Sequence, residues 1–229
     1  MNLFYSIESA VALTLHAVLV VLLLRDLSRK YFIVFLYSAT YLLTTAVESI
    51  VIRQIGSRTA IYNRIYWTNE IILDLLLFLM VILLPFQAAE GSVLRGAVGK
   101  MLFAVALIAI ALPFAVGSRP YFTARWFIFT SQILNFGGAL MNLGLWTALI
   151  GSKRRDPRLL LVSTGLGVTV TGQAIHYGIL LLTKSPMIRD ASDVINAIMY
   201  LVGVAIWCWA FRPRERARAA QATGVAANP

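Results

Sequence analysis

The chain reads as seven long apolar runs separated by short polar joints. The runs cover about residues 8–24, 31–52, 65–87, 97–117, 123–150, 158–182 and 191–211. Each is close to the roughly 20 residues that a helix needs to cross a hydrocarbon core about 30 Å thick. Three stretches, Trp126–Ser152, Leu159–Thr183 and Val194–Phe211, contain no Asp, Glu, Lys or Arg at all. The ten-residue alternation of barrel strands is absent, and Gly91, Gly96, Pro120, Pro157 and Pro186 fall in the joints. The pattern predicts an all-α, polytopic membrane protein, a seven-transmembrane-helix bundle. Residues 1–211 form its single domain, and residues 212–229 form a basic, disordered cytoplasmic tail.

Composition narrows the class further. The 229 residues are 59% hydrophobic and 13% charged, with a mean hydropathy of +0.79. A soluble chain of this kind would have too few polar residues to cover its surface. A soluble enzyme, a disordered chain and a nucleic-acid-binding domain are therefore excluded, and nucleic acid is not an expected partner.

The net charge of +10 has its explanation in the joints. Thirteen Lys and Arg follow helices 1, 3, 5 and 7, among them Arg25, Lys30, Lys153, Arg158 and Arg212. Seven lie on the other side, among them Arg53, Arg125 and Arg189. The positive-inside rule then predicts an outside N-terminus and a cytoplasmic C-terminus, with the basic joints on the anionic inner leaflet of a lipid bilayer. The expected location is the cytoplasmic (inner) membrane of a prokaryote. Met1–Ser9 has no Lys or Arg, so the first run reads as a retained span and not a cleaved signal. The single cysteine, Cys208, rules out an intrachain disulfide and any CxxC motif.

Polar side chains within the spans carry the functional information, because they are costly in hydrocarbon. Helix 2 holds Tyr37, Tyr41, Thr44 and Glu48, and helix 3 holds Tyr62, Tyr66, Glu70 and Asp74, read as one face at four-residue spacing. Helix 5 carries Ser131, Gln132, Asn135 and Asn142, helix 6 carries Thr169, Gln173 and His176, and helix 7 carries Asp193, Asn196 and Tyr200. Helix 1 contributes His16, with Glu8 two turns above it. Helix 4 has almost no polar residue and is predicted to lie at the periphery, facing lipid. Acids and histidines concentrate towards the predicted outer half. The sequence thus predicts an outward-facing polar pocket, closed below by Asn142, Trp146, Tyr200 and Trp207.

The candidate ligand- or proton-binding residues are Asp74, Glu70, His16, His176, Gln173, Asn196, Gln132, Asn135, Glu48 and Tyr66. Asp74 leads the set. An ionised Asp at a helix centre costs on the order of 3 kcal/mol, and the Lys and Arg residues lie in joints or at span ends, too far from the centre to offset it. It needs a proton, a histidine, a hydrated cavity or a bound cation. His16, Glu70, Asp74 and His176 would suit a divalent metal such as zinc, and they would equally suit a hydrogen-bond network that fixes helix packing.

No GxSxG, Walker A or HExxH pattern is present, which predicts a non-enzymatic protein without catalytic residues. The layout is similar to seven-helix rhodopsins and bacterial sensor modules in helix count and orientation alone. Helix 7 has no lysine, so a retinal Schiff base has no attachment point and no organic cofactor is expected. The leading expectation is a receptor-like or sensory subunit that binds a small ligand or cation and works with a membrane or cytoplasmic protein partner. The alternatives are a small-solute or proton-coupled transporter using the same acids, and a structural subunit of a membrane complex.

Overall fold

A computed structural model of the chain describes residues 2–25, 29–56, 59–88, 95–116, 121–151 and 156–212. Among them run seven α-helices: α1 (Asn2–Arg25), α2 (Phe32–Ile55), α3 (Ala60–Ala88), α4 (Arg95–Val116), α5 (Ala124–Gly151), α6 (Pro157–Leu182) and α7 (Pro186–Phe211). A short 3-10 turn, Arg29–Tyr31, precedes α2. Among the described residues the protein is all-α, and six of the helices are long and apolar enough to cross a membrane. The seventh helix, α5, has 28 residues and ends in the apolar run Ala148–Ile150, whose side chains lie outside the described residues. The tail beyond Arg212 and the loop cations Lys153, Arg154 and Arg155 lie outside the described residues.

Several helices begin earlier than the apolar pattern predicts: α1 at Asn2, α3 at Ala60 and α7 at Pro186. Apolar runs record the part of a helix that avoids water, whereas its backbone hydrogen bonds continue through more polar turns. Pro157 and Pro186 open α6 and α7, where a missing N–H costs no intrahelical bond. Asp156 caps α6, its Oδ1 accepting from the backbone N–H groups of Arg158 at 3.0 Å and Leu159 at 3.2 Å. At the far end of α2 the chain turns through Gly56 at φ +83°, a conformation that costs a residue without Cβ little.

Short connectors make successive helices antiparallel neighbours. Helix α1 also packs on α7, and α3 packs on α5 and α6. The result is a ring of α1, α2, α3, α5, α6 and α7, with α4 lying outside it against α3 and α5. The outer surface of α4 exposes Phe103, Leu107, Ile108 and Ile110, the apolar face expected of a peripheral span. Its final turn is pinned to α5 and the turn before it, since Trp126 Nε1 donates to the Pro113 carbonyl at 3.2 Å and the Tyr121 hydroxyl donates to that of Phe114 at 3.0 Å. Carbonyls in a last turn have no intrahelical donor, so these bonds satisfy groups that would otherwise be orphaned.

The two ends of the ring differ. At the end bearing Tyr31, Asp156 and Phe211, the interior is filled by Leu19, Val34, Leu77, Leu84, Leu166 and Trp207. Helices α6 and α7 approach closely here: a Cβ on Gly165 would stand 2.7 Å from the Gly203 carbonyl oxygen. Trp207 Nε1 donates to the Val162 carbonyl at 3.0 Å across the same contact. An ion pair between Lys30 and Asp156 at 2.8 Å ties the α1–α2 connector to the start of α6. The opposite end holds the cavity described next.

Candidate functional site

A cavity of about 360 Å³ lies between α1, α2, α3, α6 and α7. Three helices supply most of its wall at regular spacing. From α3 come Tyr66, Trp67, Glu70 and Leu73, from α6 Gln173, His176, Tyr177 and Leu180, and from α7 Asp193, Asn196, Ala197 and Tyr200. Offsets of three, four and seven residues select one face of a helix. Helix α1 adds Glu8, and α2 adds Tyr37 and Tyr41. The cavity extends from the partly exposed Glu8 and Asp193 to a floor at the buried Tyr37 and Tyr200.

Glu70 is joined across the cavity wall to α6, its Oε2 accepting from the Tyr177 hydroxyl at 3.1 Å. His176 Nδ1 lies 3.1 Å from Ser192 Oγ and 3.4 Å from Asp193 Oδ1, which links α6 to α7. Gln173 Oε1 and Asn196 Oδ1 are buried and have no hydrogen-bond partner. Among the described residues no Lys or Arg lines the cavity. Arg189, near the start of α7, is engaged elsewhere, donating to the carbonyls of Leu180 at 3.1 Å and Thr183 at 3.0 Å. The walls therefore present carboxylates, amide oxygens and tyrosine rings, a surface rich in acceptors and in electron-dense faces.

Five of the sequence-predicted residues line this cavity: Glu70, His176, Gln173, Asn196 and Tyr66. The other five lie outside its lining. Asp74 is turned towards α5, where Asn135 Nδ2 donates to its Oδ1 at 2.9 Å and also to the Ser131 carbonyl at 2.9 Å. The carboxyl is 1% exposed, and its Oδ2 has no partner. Leu73, not Asp74, completes the α3 face below Glu70. The reason is helical drift. At 3.6 residues per turn, each four-residue step advances the direction by about 40°, so Asp74 points about 80° away from Tyr66.

His16 sits beneath the cavity floor. Its Nε2 is 2.6 Å from the Tyr200 hydroxyl, and its ring stacks on Tyr41 with centroids 4.1 Å apart. Tyr37 donates to the same Tyr200 oxygen at 3.4 Å. Glu48 accepts from Asn69 at 2.7 Å between α2 and α3, and the Gln132 amide lies against Gly178 of α6. The expected four-residue metal set is thereby divided among three places. Among the described residues, no group of three or more His, Cys, Asp or Glu is arranged to hold a metal ion.

Of the predicted floor, Tyr200 lines the cavity and Trp207 packs edge-on against Tyr37 below it, with centroids 5.7 Å apart. Asn142 is instead an α5–α6 tie, donating to the Ser163 carbonyl at 3.0 Å and accepting from its hydroxyl at 3.1 Å. Trp146 lies on the outside of the bundle, where its indole donates to Thr164 at 3.0 Å. Trp67 and Tyr177 line the cavity as well, outside the sequence-predicted set. Tyr177 stands four residues after Gln173 and seven after Val170, so the helical period offered the signal. No protein-family model, curated protein or solved structure matches the chain.

Proposed function

We propose that this chain is a receptor-like, non-enzymatic multi-pass protein that takes a small ligand or cation from the outer side of a prokaryotic inner membrane. In this reading α5 is the seventh crossing. Its 28 residues would span about 42 Å at 1.5 Å each, and its Asn135 and Asn142 are directed at α3 and α6, away from lipid. The excess of cations after α1, α3, α5 and α7 orients the N-terminus outwards. The cavity then opens outside, and the filled half faces the cytoplasm.

The observation that carries the reading is the polarity of the cavity wall, with Glu70, Gln173 and Asn196 brought to one hollow by α3, α6 and α7. Groups of this kind are buried where a partner completes them. The closed inner end, packed around Trp207 and clasped by Lys30 and Asp156, favours reception over passage, since a carrier needs polar access from both sides.

The test is a thermal-stability screen of the purified protein in lipid nanodiscs against amines, amino acids, sugars and inorganic cations. The expected result is a rise in melting temperature with at least one class, absent in Glu70→Gln. A flat response to every class, or an equal response in the variant, would overturn the proposal.

A further inference from the structure

We infer that the cavity is selective for a small organic ammonium ion, whose N–H groups meet Glu70, Gln173 and Asn196 while its apolar body lies against the tyrosine rings. This rests on the pocket reading above and names its ligand class.

Three observations converge. First, among the described residues the lining holds the carboxyl groups of Glu8, Glu70 and Asp193 and no lysine or arginine. A charged ligand that enters is therefore drawn in as a cation and repelled as an anion. Second, the unpartnered atoms are acceptors. Gln173, 91% buried by its 9% exposure, and Asn196 each leave a side-chain oxygen without a donor. A ligand with N–H groups supplies what these oxygens lack, and one without them leaves the oxygens orphaned. Third, six aromatic side chains make up most of the rest of the wall: Tyr37, Tyr41, Tyr66, Tyr177 and Tyr200 with Trp67. Aromatic faces attract desolvated cations and offer apolar area to the rest of an organic ion. A bare metal ion would use the carboxylates but not the rings. The absence of any grouping of three His, Cys, Asp or Glu among the described residues agrees with an organic cation.

The experiment is calorimetric titration of the full chain in nanodiscs, with empty nanodiscs as the blank, using four probes that share a phenyl ring. Benzylammonium carries charge and N–H groups, benzyltrimethylammonium carries charge alone, benzyl alcohol is neutral, and benzoate is an anion. Benzylammonium is expected to bind on the order of tenfold or more tighter than benzyl alcohol, with benzoate silent. Glu70→Gln should remove the preference for charge. Gln173→Leu should weaken benzylammonium while leaving benzyltrimethylammonium unchanged, a pattern that a misfolded variant would not give.

Equal or tighter binding of benzyl alcohol or benzoate would overturn the cation assignment and leave the pocket standing. Binding of none of the four would overturn it as well, and the broader stability screen would then decide separately whether the pocket takes a ligand of another class.

Discussion

Asp156 combines a helix cap with an ion pair, and the two contributions can be separated. Burial pushes its carboxyl up, but the Lys30 ammonium and the N–H groups of Leu159 and Arg158 outweigh burial and hold it below its ordinary value of 3.8. A carboxyl depressed on folding binds more protons in the unfolded chain at low pH. Its contribution is therefore complete above about pH 4 and lost as pH falls through the lower folded value. Asp156→Asn keeps a capping oxygen and loses the pair, for which an exposed site gives about 0–1 kcal/mol. Asp156→Ala loses the cap as well, about 1 kcal/mol more. Denaturation of both variants at pH 7 should rank them in that order, and identical losses would show that the cap contributes nothing.

The same scale separates Asp74 from Glu70. Asp74→Asn keeps an acceptor for Asn135 and touches no cavity wall, so ligand-dependent stabilisation should survive it and vanish in Glu70→Gln. Beneath the floor, Tyr200→Phe removes the partner of His16 Nε2 and should cost about 1–3 kcal/mol, because a buried acceptor or donor is left unmet. The double variant His16→Phe, Tyr200→Phe should recover part of that loss. A double-variant loss equal to the sum of the single losses would remove the hydrogen bond from the account.

At the scale of elements, the tightest contact is α6 against α7. A methyl group on Gly165 would meet the Gly203 carbonyl and the Trp207 indole, each at 2.7 Å. Backbone cannot swing aside as a side chain can, so Gly165→Ala should cost about 1–3 kcal/mol and lower the melting temperature. Gly144→Ala meets nothing within 4 Å and should be neutral or stabilising by up to about 1 kcal/mol. Equal melting temperatures would mean that the two helices are not held at that crossing.

This scale also explains what could be read from sequence. The helices were legible because hydrocarbon demands uninterrupted apolar runs, and peripheral α4 was legible because it lacks a polar face. The partition of polar residues between the cavity and the helix seams was not. Glu70 and Asp74 share a stripe on paper, yet about 40° of rotation sends one to the hollow and the other to Asn135. Trp146 and Asn142 were misplaced for a related reason: periodicity gives a face, while only packing tells which neighbour that face meets.

Across the whole molecule, the ring is divided into a filled half and a hollow half. Large aliphatic side chains and Trp207 fill the end near Tyr31 and Phe211, while the cavity occupies the end near Glu8 and Asp193. The seams through Asp74–Asn135 and His16–Tyr200 connect the two. Under the proposed function, the orientation of this division in the membrane sets the side from which a ligand would arrive.

Cysteine accessibility in intact cells tests the depth, the opening and the charge of the cavity together. In a Cys208→Ser background, Gln173→Cys and Asn135→Cys would be treated from outside with membrane-impermeant cationic and anionic methanethiosulfonates. The expected result is modification at position 173, faster with the cationic reagent, and none at position 135. Failure to label position 173 from outside, a faster anionic reaction there, or labelling at position 135 would contradict an acidic hollow open to the exterior.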